Sequence, residues 1–192
     1  MDHSALASSL ALAGLRFQGL ADPAAPLTPV TVAGFANAVG DEDGARAVSV
    51  SSADPRLAEK ANAAWHRLAD ESGLFTGDGG EFLVAVDLGT GRPHVFRWAR
   101  VRLGDPWDIM DAGSAGPLGA GSLLPGFVMQ STDGRVIVRG DTWESEIGAV
   151  SVRDPHRVQV LRQQAQWQAD QPHRPDSDDA YQSEAARRWL DR

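Results

Sequence analysis

The sequence predicts an α+β protein, with helices near both ends of the chain packed on a mostly antiparallel β-sheet built from hairpins. Three observations carry that expectation. Leu57, Ala61, Ala64, Trp65 and Leu68 recur at helical spacing behind Asp54-Pro55, an acceptor and a proline suited to a helix start. From about residue 81 the apolar period becomes that of strands, and Asp133-Gly134 lies between two β-rich runs as a hairpin turn. After Asp154-Pro155 the helical period returns through Val158, Leu161 and Ala165 to Trp167.

Taken in order, residues 4–20 align Leu6, Leu10, Ala13, Phe17 and Leu20 on one helical face, with Ser4 as N-cap. The prolines of "ADPAAPLTPV" demand an extended connector. "VTVAGFANAV" fits either a short strand or a helical turn, "GDEDG" is an acidic loop, and "RAVSVS" reads as a strand. Gly73 ends the helix that follows Asp54. "EFLVAV" and "HVFRWARVRL" then flank a turn, with Phe82, Val84 and Val86 on one face. "GFVMQS" and "RVIVR" flank "TDG", and "TWESEIGAVSV" follows. A sheet of about four or five strands is expected. The Gly-rich stretch 111–126 between the hairpins reads as a mobile loop. "DQPHRPDSDD" breaks the helix after Asp154, and "AYQSEAARRWL" forms a short terminal helix. The chain thus divides into an N-terminal helical portion (1–75), a sheet with its C-terminal helix (76–170), which forms one domain with 1–75, and a semi-detached linker and helix (171–192).

Composition narrows the function classes. At 192 residues and 42% hydrophobic content the chain can bury a core. It has no cysteine, which excludes disulfides, thiolate metal sites and thiol catalysis. A net charge of −8 opposes nucleic acid and anionic membrane surfaces as partners and suits a basic protein. Lys60 is the sole lysine among many arginines, the coding bias of a GC-rich bacterium. The N-terminus carries Asp2 and His3 where a secretory signal would be basic, so a cytoplasmic location is expected.

The stretch "EFLVAVDLGTGRPHVF" carries the one phrase that suggests chemistry. Its strand–Asp–x–Gly–Thr–x element resembles the phosphate loop of sugar kinases, heat-shock ATPases and actin-like ATPases. The resemblance implies that Asp87 organises metal and water while Gly89, Thr90 and Gly91 approach phosphate oxygens. It covers about a dozen residues, no second phosphate loop follows, and Pro93 stands where the next strand begins. A hairpin turn accounts for the same residues, and that is the reading adopted. "TGDGGEF" lacks the Lys-Ser/Thr ending of a Walker loop and precedes a strand. The passage from that Gly/Asp turn through the strand is also similar to SUKH-type immunity domains, whose preceding Trp and Leu-Pro pattern is missing.

Asp105, Asp108 and Asp111 are spaced three apart, as a hard-cation site or, more simply, a capped turn would be. None of the five histidines forms a metal-ligand pair, so no metal or other cofactor is expected. "FRWARVR" interleaves aromatic and Arg residues as single-strand binders do, against the acidic balance of the whole. The leading expectation is therefore a non-enzymatic interaction protein: an adaptor, a chaperone-like factor or an immunity-type neutraliser of a basic partner. Its contact residues would be Trp167, Tyr181, Trp189 and Leu190 in the C-terminal helices. One alternative is a small hydrolase or phosphate-handling enzyme with Asp87, His94, Asp105 and Asp108 around the 111–126 loop as lid. The other is a structural component of a larger assembly, which would expose a large apolar patch.

Overall fold

The computed structural model describes residues 2–76, 79–89, 94–174 and 177–192. Its elements are α1 (His3–Ala11), β1 (Leu15–Leu20), α2 (Val30–Ala33), β2 (Ala45–Ser51), α3 (Leu57–Ser72), β3 (Glu81–Asp87) and β4 (Phe96–Leu103). There follow β5 (Gly119–Gly121), β6 (Leu124–Pro125), β7 (Val128–Ser131), β8 (Val136–Trp143), β9 (Glu146–Arg153), α4 (Gln159–Asp170) and α5 (Asp178–Leu190). Seven strands form one antiparallel sheet in the order β1-β4-β3-β7-β8-β9-β2, and β5 and β6 form a small second one. The fold is α+β, as the residue patterns require. None of the described helices is long and apolar enough to cross a membrane.

The helix foreseen over residues 4–20 is instead a helix and a strand. Asp2, not Ser4, caps α1 by accepting from the Ala5 N–H at 2.7 Å. Gly14, at φ +73°, then turns the chain away. A Cβ there would lie 2.5 Å from the Pro106 carbonyl oxygen, so only glycine fits. Beyond it Leu15 and Phe17 follow strand alternation and pair with Leu103 and Val101 of β4. The ambiguous "VTVA" is the short helix α2. "RAVSVS" is β2, paired residue for residue with β9. The middle of the chain supplies five strands of the sheet, as expected, and residues 1–75 add both edge strands, β1 and β2, to make seven.

Local turn chemistry explains most other boundaries. Asp54 forms a turn ahead of α3, accepting from the Arg56 N–H at 2.9 Å and pairing with Lys60, and the helix itself begins at Leu57. Gly73, at φ +85°, ends it. The Asp133-Gly134 turn joins β7 to β8, with the Ser131 hydroxyl donating to Asp133 Oδ1 at 2.6 Å. "TWESEIGAVSV" is no single strand: it turns at residues 144–145, where β8 passes into β9.

The sheet is buried on both faces, which is why β3 reads as an unbroken apolar run. Phe82, Val84 and Val86 share one face, with Leu6, Leu10, Trp65 and Leu68 of α1 and α3. Leu83 faces the other side, where Val32, Leu161, Ala165, Ala186 and Trp189 of α2, α4 and α5 pack against Trp98, Ile137 and Val152. Residues 111–126 are anchored rather than a free loop, although Pro117 and Gly126 border a recess that Asp87 also lines. Leu118 and Ser114 are fully buried there, and the segment just before them is pinned to α3. Asn62 accepts the Ile109 and Met110 N–H groups at 2.9 and 3.0 Å and donates to Asp108 Oδ1 at 2.7 Å.

The semi-detached C-terminal peptide is also corrected. Ser177 caps α5 by accepting from the Ala180 N–H, and the Ser183 hydroxyl and the Arg187 guanidinium both donate to the Ala169 carbonyl of α4. Trp189 is 0% exposed and Leu190 is half-buried against the same core. Helix α5 packs mainly on α4 and, through Ala186 and Trp189, completes the apolar layer that α2 and α4 lay on that sheet face.

Candidate functional site

The mouth of the β3–β4 hairpin assembles the site. Asp87 ends β3 opposite Phe96, and His94 stands just ahead of β4. Asp87 Oδ1 accepts from the Gly89 and Val95 N–H groups, each at 2.8 Å, and Oδ2 meets His94 Nδ1 at 2.5 Å. The imidazole stacks on Phe96, with centroids 5.5 Å apart and planes 17° from parallel. Partial burial pushes the Asp87 carboxyl upward, but the His94 bond and the two backbone donors outweigh it and hold the carboxyl below its ordinary value. Three donors thus occupy the carboxylate that the ATPase resemblance would give to metal and water. Thr90, Gly91 and Pro93 lie outside the described residues.

Around this pair the second helical layer forms a groove. Thr31 of α2 donates to Gln168 Oε1 of α4 at 2.7 Å, and Gln182 Nε2 of α5 donates to the Phe96 carbonyl at 3.0 Å. With Asp178 and Asp179, these residues line the recess over His94 and Phe96. Asp178 pairs with Arg97, whose guanidinium lies 3.7 Å above the Tyr181 ring. Thr31 also borders a neighbouring recess on either side, and the recesses share further walls: Gln168 and Asp179 on one side, Phe96 on the other. At one end stand Phe35, Trp167, Pro172 and His173; at the other, Phe127 and Arg139. Trp167 is 59% exposed and Phe35 42%.

The sequence-derived residues separate into two groups. Asp87 and His94 meet. Asp105 and Asp108 lie beyond the opposite end of β4, roughly 20 Å away at strand rise. Asp105 is exposed, with a cis bond to Pro106. The cap in this segment is Asp108, which accepts from the Asp111 N–H at 3.0 Å, while Asp111 takes the Ser122 hydroxyl. Among the described residues no three His, Cys, Asp or Glu side chains are grouped as a metal site. Of the four contact residues, Trp167 alone stands free: Trp189 is in the core, Leu190 is half-buried, and Tyr181 packs under Arg97.

Sequence reasoning did not find Thr31, Phe35 or Asp179. Phe35 sat in a stretch whose secondary structure was ambiguous, and Asp179 read as part of a solvated linker. Comparison with family models, curated proteins and solved structures finds no match for the chain.

Proposed function

We propose that the protein is a binding module that captures a basic segment of a partner protein in the groove bordered by α2, α4 and α5. One observation carries the reading: two exposed aromatic side chains, Trp167 and Phe35, stand together at one end of a groove that Asp179 also lines. A large exposed aromatic beside a cleft is the usual anchor of a protein contact, since it buries much apolar area at little conformational cost. Asp179 attracts a cation beside that anchor, and the −8 net charge favours approach of a basic chain. The same properties suit an adaptor, a chaperone-like factor or an immunity-type neutraliser acting in a bacterial cytoplasm.

The test is affinity capture from native extract with wild type, Trp167→Ala and Asp179→Asn, followed by binding measurements with the recovered protein. The expected outcome is a partner held by wild type and at least about tenfold more weakly by either variant. Equal capture by all three would sink the groove as the contact site.

A second reading, a small hydrolase or phosphate-handling enzyme, rests on the Asp87–His94 pair. A carboxylate that orients an imidazole is part of a general-base arrangement. The described hydrogen bond of the His94 ring is Nδ1 to Asp87 Oδ2, and no hydroxyl nucleophile stands with it among the described residues. The binding reading therefore takes precedence.

A further inference from the structure

We propose a second, separate interaction surface: the open edge of β2, which takes a basic, extended segment of a partner protein as an added strand. The sheet has two edges, and they are built differently. β1 is guarded, because its register with β4 slips between Phe17 and Gly19, and such a bulge twists an edge away from new partners. β2 has no such device. Its seven residues from Ala45 to Ser51 match Val152 to Glu146 one for one, with no bulge, proline or lysine.

The backbone groups that face outward can be named. The Ser52 N–H donates to the Ser145 carbonyl at 2.8 Å, so that pair belongs to the hydrogen-bonded class of the ladder. Antiparallel alternation then directs the amides of Val50, Val48 and Arg46 at β9, and those of Ala47, Ser49 and Ser51 away from it. Both ends of this outer row are already engaged. Ala45 donates to the Gly40 carbonyl at 3.3 Å, and the Ser51 carbonyl accepts from the Asp54 N–H at 3.0 Å. The middle, Ala47 and Ser49, is open, and both residues are small and exposed. Helix α3 lies over the face of β2 and β9, where Val48 and Val50 pack against the core.

Charge selects the occupant. Asp41, Glu42 and Asp43 are exposed immediately before the strand. Glu146 accepts the Ser49 hydroxyl at 2.8 Å. Arg46, the strand's own cation, is matched by Glu71 at 2.9 Å. An incoming strand with Arg or Lys at alternate positions meets complementary charge there, whereas a second copy would bring the same carboxylates against themselves.

The test uses the whole chain and three capped synthetic heptapeptides. These are Thr-Arg-Val-Arg-Val-Arg-Thr, its counterpart with Glu for Arg, and the Arg peptide with every amide N-methylated. The readout is NMR hydrogen exchange. The Arg peptide is expected to slow exchange at Ala47 and Ser49 by at least about tenfold, and the other two to leave it unchanged. Ser49→Pro deletes an outward N–H without touching the ladder to β9 and should abolish the effect. Trp167→Ala should preserve it, which separates this edge from the groove. If Ser49→Pro does not fold, the contrast between the Arg and N-methylated peptides on the wild-type chain decides the matter. No protection by the Arg peptide, or equal protection by its N-methylated form, overturns the proposal. So does protection that rises with protein concentration alone, which would assign the edge to a second copy.

Discussion

Asp87 shows how one side chain can carry a hairpin. Its carboxylate gathers two backbone N–H groups and the His94 imidazole, so removing it leaves three donors without their partner. Asp87→Ala is expected to cost about 1–3 kcal/mol, read by denaturant unfolding. The folded carboxyl is held below its ordinary value of 3.8, so its contribution is fully present above that value. It drains away as pH falls through the lowered folded value, and the gap between wild type and variant should narrow below about pH 4. A constant gap across that range would refute the linkage. The same variant bears on chemistry: a saturable nucleotide titration of wild type that Asp87→Ala abolishes would revive the phosphate-loop reading. Asp87 was singled out from the sequence because Asp-x-Gly is legible turn chemistry. Its bond to His94 was not, since the two stand seven positions apart and the path of the chain between them decides whether they meet.

At the scale of elements, α5 departs most from its expected role. A polar linker followed by a short helix suggested a semi-detached appendage. Instead Trp189 is wholly buried and Ala169 of α4 accepts two hydrogen bonds from α5. Trp189→Ala is expected to cost about 3–5 kcal/mol and to lower the melting temperature by on the order of 10 °C. Removal of residues 172–192 should be at least as damaging. A melting temperature unmoved by either change would return α5 to the status of an appendage. The amphipathic stripe of α5 was visible in the sequence, but a stripe states that something must be covered, not what covers it. Helix α3 was read well because its period and the stop at Gly73 are local. β1 was missed because apolar residues continue past Gly14 at helical spacing, while that glycine turns the chain.

At the scale of the whole molecule, the two halves of the chain are interleaved. β1 and β2 come from the first 51 residues and bracket five strands from the rest. This leaves one guarded and one open edge, and it brings Thr31 to Gln168, 137 positions away, to build the groove. Net charge acts at this scale too. For a chain of −8 meeting a basic partner, raising the salt from about 0.05 to 0.5 M should cut the association rate at least about tenfold. A rate independent of salt would remove charge from the recognition.

Local residue patterns alone account for the class of fold, the position of α3, the β7–β8 turn, the presence of α4 and α5, and the acidic balance. Each of these follows from residues within one turn or one period of each other, or from simple composition. It took the folded arrangement to show that the sheet has seven strands, that Trp189 is core while Trp167 is surface, and that Thr31, Phe35, Trp167 and Asp179 line one groove. Strand pairing and helix docking join residues that are distant along the chain, and many arrangements satisfy the same local periods. The residues that meet are selected by which apolar faces can be covered at once.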